Sequence, residues 1–138
     1  MGGKTKVRIC VGDVSEIPLP NGKFAYGRVY DDAGVGIYTE ISDVPDSPPL
    51  GSREFLFNVG VYEDILKSGR WRIVGHDPFE DNESPFPPPS YIEDVISGEC
   101  SIYHKGEIRR ASRAECRGLE ETAVWDSHHI IDRIMNAL

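Results

Sequence analysis

Val14-Ser15-Glu16-Ile17-Pro18-Leu19-Pro20-Asn21-Gly22-Lys23-Phe24-Ala25-Tyr26-Gly27-Arg28-Val29-Tyr30 reads as two strands around a tight turn. Pro20-Asn21-Gly22 supplies the turn, because Asn and Gly tolerate a positive φ, and the run over 24–30 returns as an aromatic-rich strand. Asp31-Asp32-Ala33-Gly34 then turns the chain into a further run over 35–41, so a meander of three or four antiparallel strands is expected. Gly27 and Gly36 inside those strands point to bulges or to close backbone approach, as a curved sheet or a small barrel requires.

Outward from the hairpin, Val7, Ile9 and Val11 alternate with Arg8 and Cys10, the period of a half-buried strand, and Gly12-Asp13 ends that run. Residues 1–6 are expected to be flexible. Downstream, Pro45, Pro48 and Pro49 interrupt regular structure. The pattern then predicts a strand over 55–61, a short helix over 62–67 closed by Gly69, and a strand over 71–75. Residues 77–90 hold five prolines and four acids and read as a long surface loop. Short strands follow over 91–95, 101–103 and 108–111. Ser112 and Glu115 have the spacing of a capping box, which starts a helix. Asp126 is placed to cap a last helix whose Ile130, Ile131, Ile134, Met135 and Leu138 form one apolar face, expected to dock on the sheet. The fold class is therefore α+β: a curved antiparallel sheet or small SH3-like barrel with two C-terminal helices packed on it, as one domain over 1–138.

With 138 residues the chain is long enough for one core, and 39% hydrophobic and 28% charged residues are ordinary for a globular protein and too apolar for disorder. No apolar run reaches the length of a membrane span, and no signal-peptide core follows the N-terminal lysines. Cys10, Cys100 and Cys116 are odd in number and lack metal-ligand spacing, which fits reduced thiols in a cytoplasmic protein. Against 15 Lys and Arg stand 23 Asp and Glu, a net charge of −8. Twelve of those acids lie in two segments without Lys or Arg, residues 31–52 and 77–102. Such segments repel a polyanion, so nucleic acid is not expected as a partner and a cationic protein is.

Motifs for chemistry are sparse. His128 and His129 are adjacent, so on a helix they splay about 100° apart and lack the i, i+4 spacing of helical zinc sites. His76-Asp77 is the seed of an alternative reading, a small hydrolase with a histidine and carboxylate site, while His104 has no partner at recognisable spacing. Arg113 and Arg117 beside Cys116 at a helix start are what activation of a thiol would need, but a small core-facing thiol is the favoured reading. Gly34-Val35-Gly36 lacks the third glycine of a dinucleotide loop. No catalytic, metal or cofactor residue is therefore assigned. Phe79, Phe86 and Tyr91, beside the proline-rich run, are candidate interface anchors, and a peptide-reading module through that surface is a further alternative.

The order of the segments carries a resemblance. Residues 11–29, then Phe57-Asn58-Val59-Gly60-Val61-Tyr62 through Ser68-Gly69-Arg70-Trp71 to Gly75-His76, then Ser101-Ile102-Tyr103 to Glu107-Ile108-Arg109, and finally Glu115-Cys116-Arg117-Gly118-Leu119-Glu120 with Ala123-Val124-Trp125-Asp126 and Asp132-Arg133-Ile134 resemble the immunity protein 26 family of bacterial polymorphic-toxin systems. The resemblance implies a cytoplasmic, non-enzymatic protein without cofactors that neutralises a cognate toxin domain, encoded beside it, by stoichiometric occlusion. An acidic inhibitor suits a basic nuclease. Charge then nominates Asp31, Asp32, Asp43, Asp46, Asp77, Glu80, Asp81 and Glu83, with the three aromatics above, as toxin-binding residues.

Overall fold

The computed structural model describes residues 8–138. The meander forms as four antiparallel strands, β1 (Asp13–Pro18), β2 (Phe24–Val29), β3 (Gly34–Tyr38) and β4 (Phe55–Val61). Helix α1 (Glu63–Lys67) leads to β5 (Ile73–His76), which returns to the free edge of β1. A second sheet is built from β6 (Ser90–Glu93), β7 (Cys100–His104) and β8 (Glu107–Ala111). Helix α2 (Arg113–Cys116), two-residue strands β9 (Glu120–Glu121) and β10 (Val124–Trp125), and helix α3 (Ser127–Ala137) complete the chain. The strand orders are β10-β4-β3-β2-β1-β5 and β8-β7-β6-β9.

The α+β class stands, with three corrections. The sheets are open, because the edge strands β10 and β5 do not meet, so the barrel alternative is not realised. They are mixed: β10 joins β4, and β9 joins β6, in parallel. The two C-terminal helices divide between the sheets: α2 contributes Cys116 to the cluster on β7, while α3 packs on β4. The strand expected over 7–11 does not form over its described part. There the Asp13 carboxylate accepts the Cys10 N–H at 2.8 Å and a turn results. Val7 and residues 1–6 lie outside the described residues. Gly27 and Gly36 sit where strands approach closely, since a Cβ would lie 2.4 Å from Val35 and 2.7 Å from Asn58; the register shifts fall nearby, at Val14/Ser15 and Ile37/Tyr38.

Strand alternation gives the six-stranded sheet two unlike faces. Ser15 lies opposite Gly27, Ile17 opposite Ala25, Gly27 opposite Ile37 and Val29 opposite Val35, so this face is small or aliphatic. It joins Phe57, Val59, Ile65, Leu66 and Trp71 in the main core. Helix α3 closes that core with Ile130 and Ile134, one turn apart and both fully buried; each such burial contributes about 1.5–3 kcal/mol. Ile131 and Met135 flank them, while Leu138 remains exposed. Asp126 holds the N-cap position without a side-chain capping bond, whereas the Ser112/Glu115 capping box forms in full.

Candidate functional site

The opposite face carries the polar half of the same alternation. Glu16 lies opposite Tyr26 and Val14 opposite Arg28, and Tyr38 continues the row. Such residues would be wet on an ordinary two-faced sheet, yet Arg28 is 1% exposed and Tyr26 and Tyr38 are fully buried. What covers them is part of each cation-free segment, residues 44–51 and 77–85, laid side by side: the Gly51 N–H donates to the Asp77 carboxylate at 3.2 Å, and beside them the Asp31 N–H donates to the Pro85 carbonyl at 2.7 Å.

Arg28 is the anchor of this acid layer. Its Nε donates to the Asp77 carbonyl and its Nη2 to the Pro78 carbonyl, each at 2.8 Å, and the guanidinium reaches Glu83 at 3.2 and 3.4 Å. A planar five-donor fork is what allows one side chain to serve carbonyls and a carboxylate together. Phe79 closes over it, 3.7 Å from the guanidinium carbon to the ring centre, and packs on Tyr30 at 5.4 Å. Arg53 seals the outer side, 3.0 Å from Asp77 and 2.8 Å from Glu83. Asp77, 5% exposed, also accepts the Tyr38 hydroxyl at 2.6 Å.

The protonation states follow from these partners. Burial pushes the Asp77 carboxyl up, but Tyr38, Arg53 and the Gly51 amide together outweigh it and hold it below the usual carboxylate range. Glu83 is held down to about 2, chiefly by its hydrogen bonds from Arg28. Burial and the bond to Asp77 push the Tyr38 hydroxyl well up, so it stays a donor. A second attachment lies at Glu16, which accepts the Asp46 N–H at 2.6 Å, while the Tyr26 hydroxyl accepts the Ser47 N–H at 3.0 Å. Arg72 bridges Glu16 and Asp46 at 3.4 and 2.7 Å.

The nominated residues therefore divide. Asp77 and Glu83 face inward, and Phe79 is half-buried between Arg28 and Tyr30. Phe86 is half-buried with the Lys105 ammonium 5.9 Å above its ring, and Tyr91 packs in the small cluster of the second sheet. Asp31, Asp32, Asp43, Asp46, Glu80 and Asp81 are exposed. Of these, Asp32 accepts the Tyr103 hydroxyl, Asp43 lies 3.4 Å from Lys23 and Asp46 is paired with Arg72. The side chains of Glu80 and Asp81 take no partner among the described residues, and Glu80 lines a shallow cavity of about 370 Å³ with Arg53 and Asp77. Arg28, Arg53, Tyr38 and Glu16 were not nominated from sequence. The readable signal was the alternation Phe24, Tyr26, Arg28, Tyr30, which puts an arginine among aromatics on one face.

His76 and Asp77 do not pair, since consecutive residues leave a strand end in opposite directions. His76 instead meets Asp13, Nδ1 to Oδ1 at 2.9 Å, with no hydroxyl or thiol bonded to the ring among the described residues. His128 and His129 do not splay as expected: their ring centres lie 4.0 Å apart, and with Asp126 their ligand atoms fall within 4.8 Å. All three are exposed and stand at the positive end of α3, where a helix favours anions over cations. Burial and the neighbouring Cys100 push the Cys116 thiol up, the reverse of an activated nucleophile. No described helix is long and apolar enough to cross a membrane.

No curated protein and no solved structure matches the chain. A family model described as immunity protein 26 matches residues 11–101 of the 138, a span that contains the whole acid layer with Arg28 and Arg53. The chain belongs to the immunity protein 26 family.

Proposed function

We propose that the chain is the stoichiometric antagonist of one cognate toxin domain, working in the cytoplasm as a single domain, and that the acid layer is its recognition face. The observation that carries the reading is the pairing of two cation-free segments on one sheet face, with the Glu80 and Asp81 carboxylates unpartnered at its surface. The layer has two parts. Arg28, Arg53, Asp77, Glu83 and Phe79 hold it rigid, while Asp31, Asp32, Asp43, Asp46, Glu80 and Asp81 present charge to the partner. Phe86 and Tyr91 border it as packing residues. Held carboxylates of this kind suit a basic nuclease, because they can occupy the cationic groove that binds phosphate and so exclude nucleic acid without turnover. Preorganisation matters here, since a layer already ordered loses little conformational entropy when it binds.

Co-expression with the toxin domain encoded beside the gene tests this. Growth should be rescued and a 1:1 complex should purify, and substitution of Glu80 and Asp81 by lysine should weaken both. Rescue without a complex, or a complex indifferent to those charges, would refute occlusion through this face.

A further inference from the structure

The four-stranded sheet ends in an uncovered edge. Strand β8 pairs on one side with β7 and on the other with no strand among the described residues, and every residue from Glu107 to Arg110 is exposed, including Ile108 at 64%. The hairpin to β7 turns on two residues of positive φ, Lys105 at 55° and Gly106 at 80°, with His104 opposite Glu107. That two-residue turn makes His104 and Glu107 a hydrogen-bonded pair. By alternation Arg109 and Ala111 also bond inward, so Ile108 and Arg110 aim their N–H and C=O groups away from β7; of these, the Arg110 carbonyl accepts the exposed Arg109 Nη1 at 3.4 Å. An open row of donors and acceptors beside an exposed isoleucine is a template for another strand.

We propose that this edge is taken by β8 of a second copy of the chain, in an antiparallel, two-fold pair centred on Ile108. The sequence of the edge selects both occupant and register. A two-fold axis normal to a sheet requires paired residues to share a face, which allows pairings centred on one residue and forbids those centred between two. Centring on Arg109 or Arg110 sets like charges directly opposite. Centring on Ile108 sets Ile108 against Ile108 of the second copy and Glu107 against its Arg109, twice by symmetry. It also brings the two outward-facing Ile108 backbones together as a hydrogen-bonded pair. Glu107 has no side-chain partner among the described residues, and Arg109, bonded to Glu115 at 2.8 Å, keeps donors to spare. None of the residues assigned to toxin recognition takes part.

Sedimentation of the full chain across a concentration series, with amide exchange at Ile108, tests the pair. A monomer–dimer equilibrium is expected, with the Ile108 amide protected only at high concentration. Glu107→Arg or Arg109→Glu alone turns both cross-strand contacts repulsive and should weaken dimerisation by roughly tenfold. The double variant E107R/R109E restores opposite charges and should recover it. Circular dichroism checks that each variant folds, and Ile108→Pro, which removes only an outward N–H, should stay folded and monomeric. A monomer at all concentrations, or a dimer indifferent to these charges, would overturn the proposal. Protection of Ile108 only on adding the toxin domain would also overturn it, giving the edge to a toxin strand.

Discussion

The six-stranded sheet buries Arg28, Asp77 and Glu16 on one face under a proline-rich lid, whereas the four-stranded sheet keeps two ion pairs of its β8 edge outside, Arg109 with Glu115 and Arg110 with Glu99. The chemistry of the pairs is the same and their weight is not. Exposed pairs contribute about 0–1 kcal/mol because water and salt screen them. A buried guanidinium has lost its hydration and must be answered by fixed acceptors, so removing one partner strands the rest. The difference teaches that the acidic segments are not uniformly charged surface. Their inner carboxylates are spent on the fold, and only the outer ones remain for a partner.

Arg28→Met should break the contrast most. It leaves two carbonyls and two carboxylates short of donors, and urea unfolding should show a loss of about 3–5 kcal/mol. Arg28→Lys should rescue little, because a point charge cannot reproduce the fork. Acid reads the same clamp. Glu83 falls from an ordinary value of 4.5 to about 2 in the folded chain, so its contribution is present above pH 4.5 and lost as pH drops toward 2. Glu83→Gln should flatten that part of the stability profile, while Glu115→Gln on the other sheet should change it far less. Tyr38→Phe removes one donor from buried Asp77 and should cost about 1–3 kcal/mol, read by the shift in urea midpoint. On the four-stranded sheet, Ser112→Ala removes the α2 cap for about 1 kcal/mol. Its effect should appear as faster amide exchange at Glu115, leaving the main core protected.

The meander, the helix that carries Ile130 and Ile134 and the Ser112 cap were legible in sequence because each depends on neighbours within a few positions. The acid layer was half legible. Its carboxylates could be counted, but the cations that answer them lie far along the chain, with a sequence separation of 49 from Arg28 to its Asp77 carbonyl and of 24 from Arg53 to Asp77. Only the fold joins such pairs. The same holds for β9 and β10, two residues each, which are strands only because β6 and β4 offer edges. Asp126 had the right type and place for a cap, yet makes no capping bond, since local spacing does not fix which way a side chain turns.

The most direct test of the central claim is the association rate of the chain with its toxin domain as a function of ionic strength. Charge reversal at Glu80 and Asp81 should slow association by about tenfold at low salt and flatten its salt dependence. The same reversal at Glu93 and Glu121, exposed on the four-stranded sheet, should leave the rate nearly unchanged. Equal effects from the two sheets, or none from Glu80 and Asp81, would contradict recognition through the acid layer.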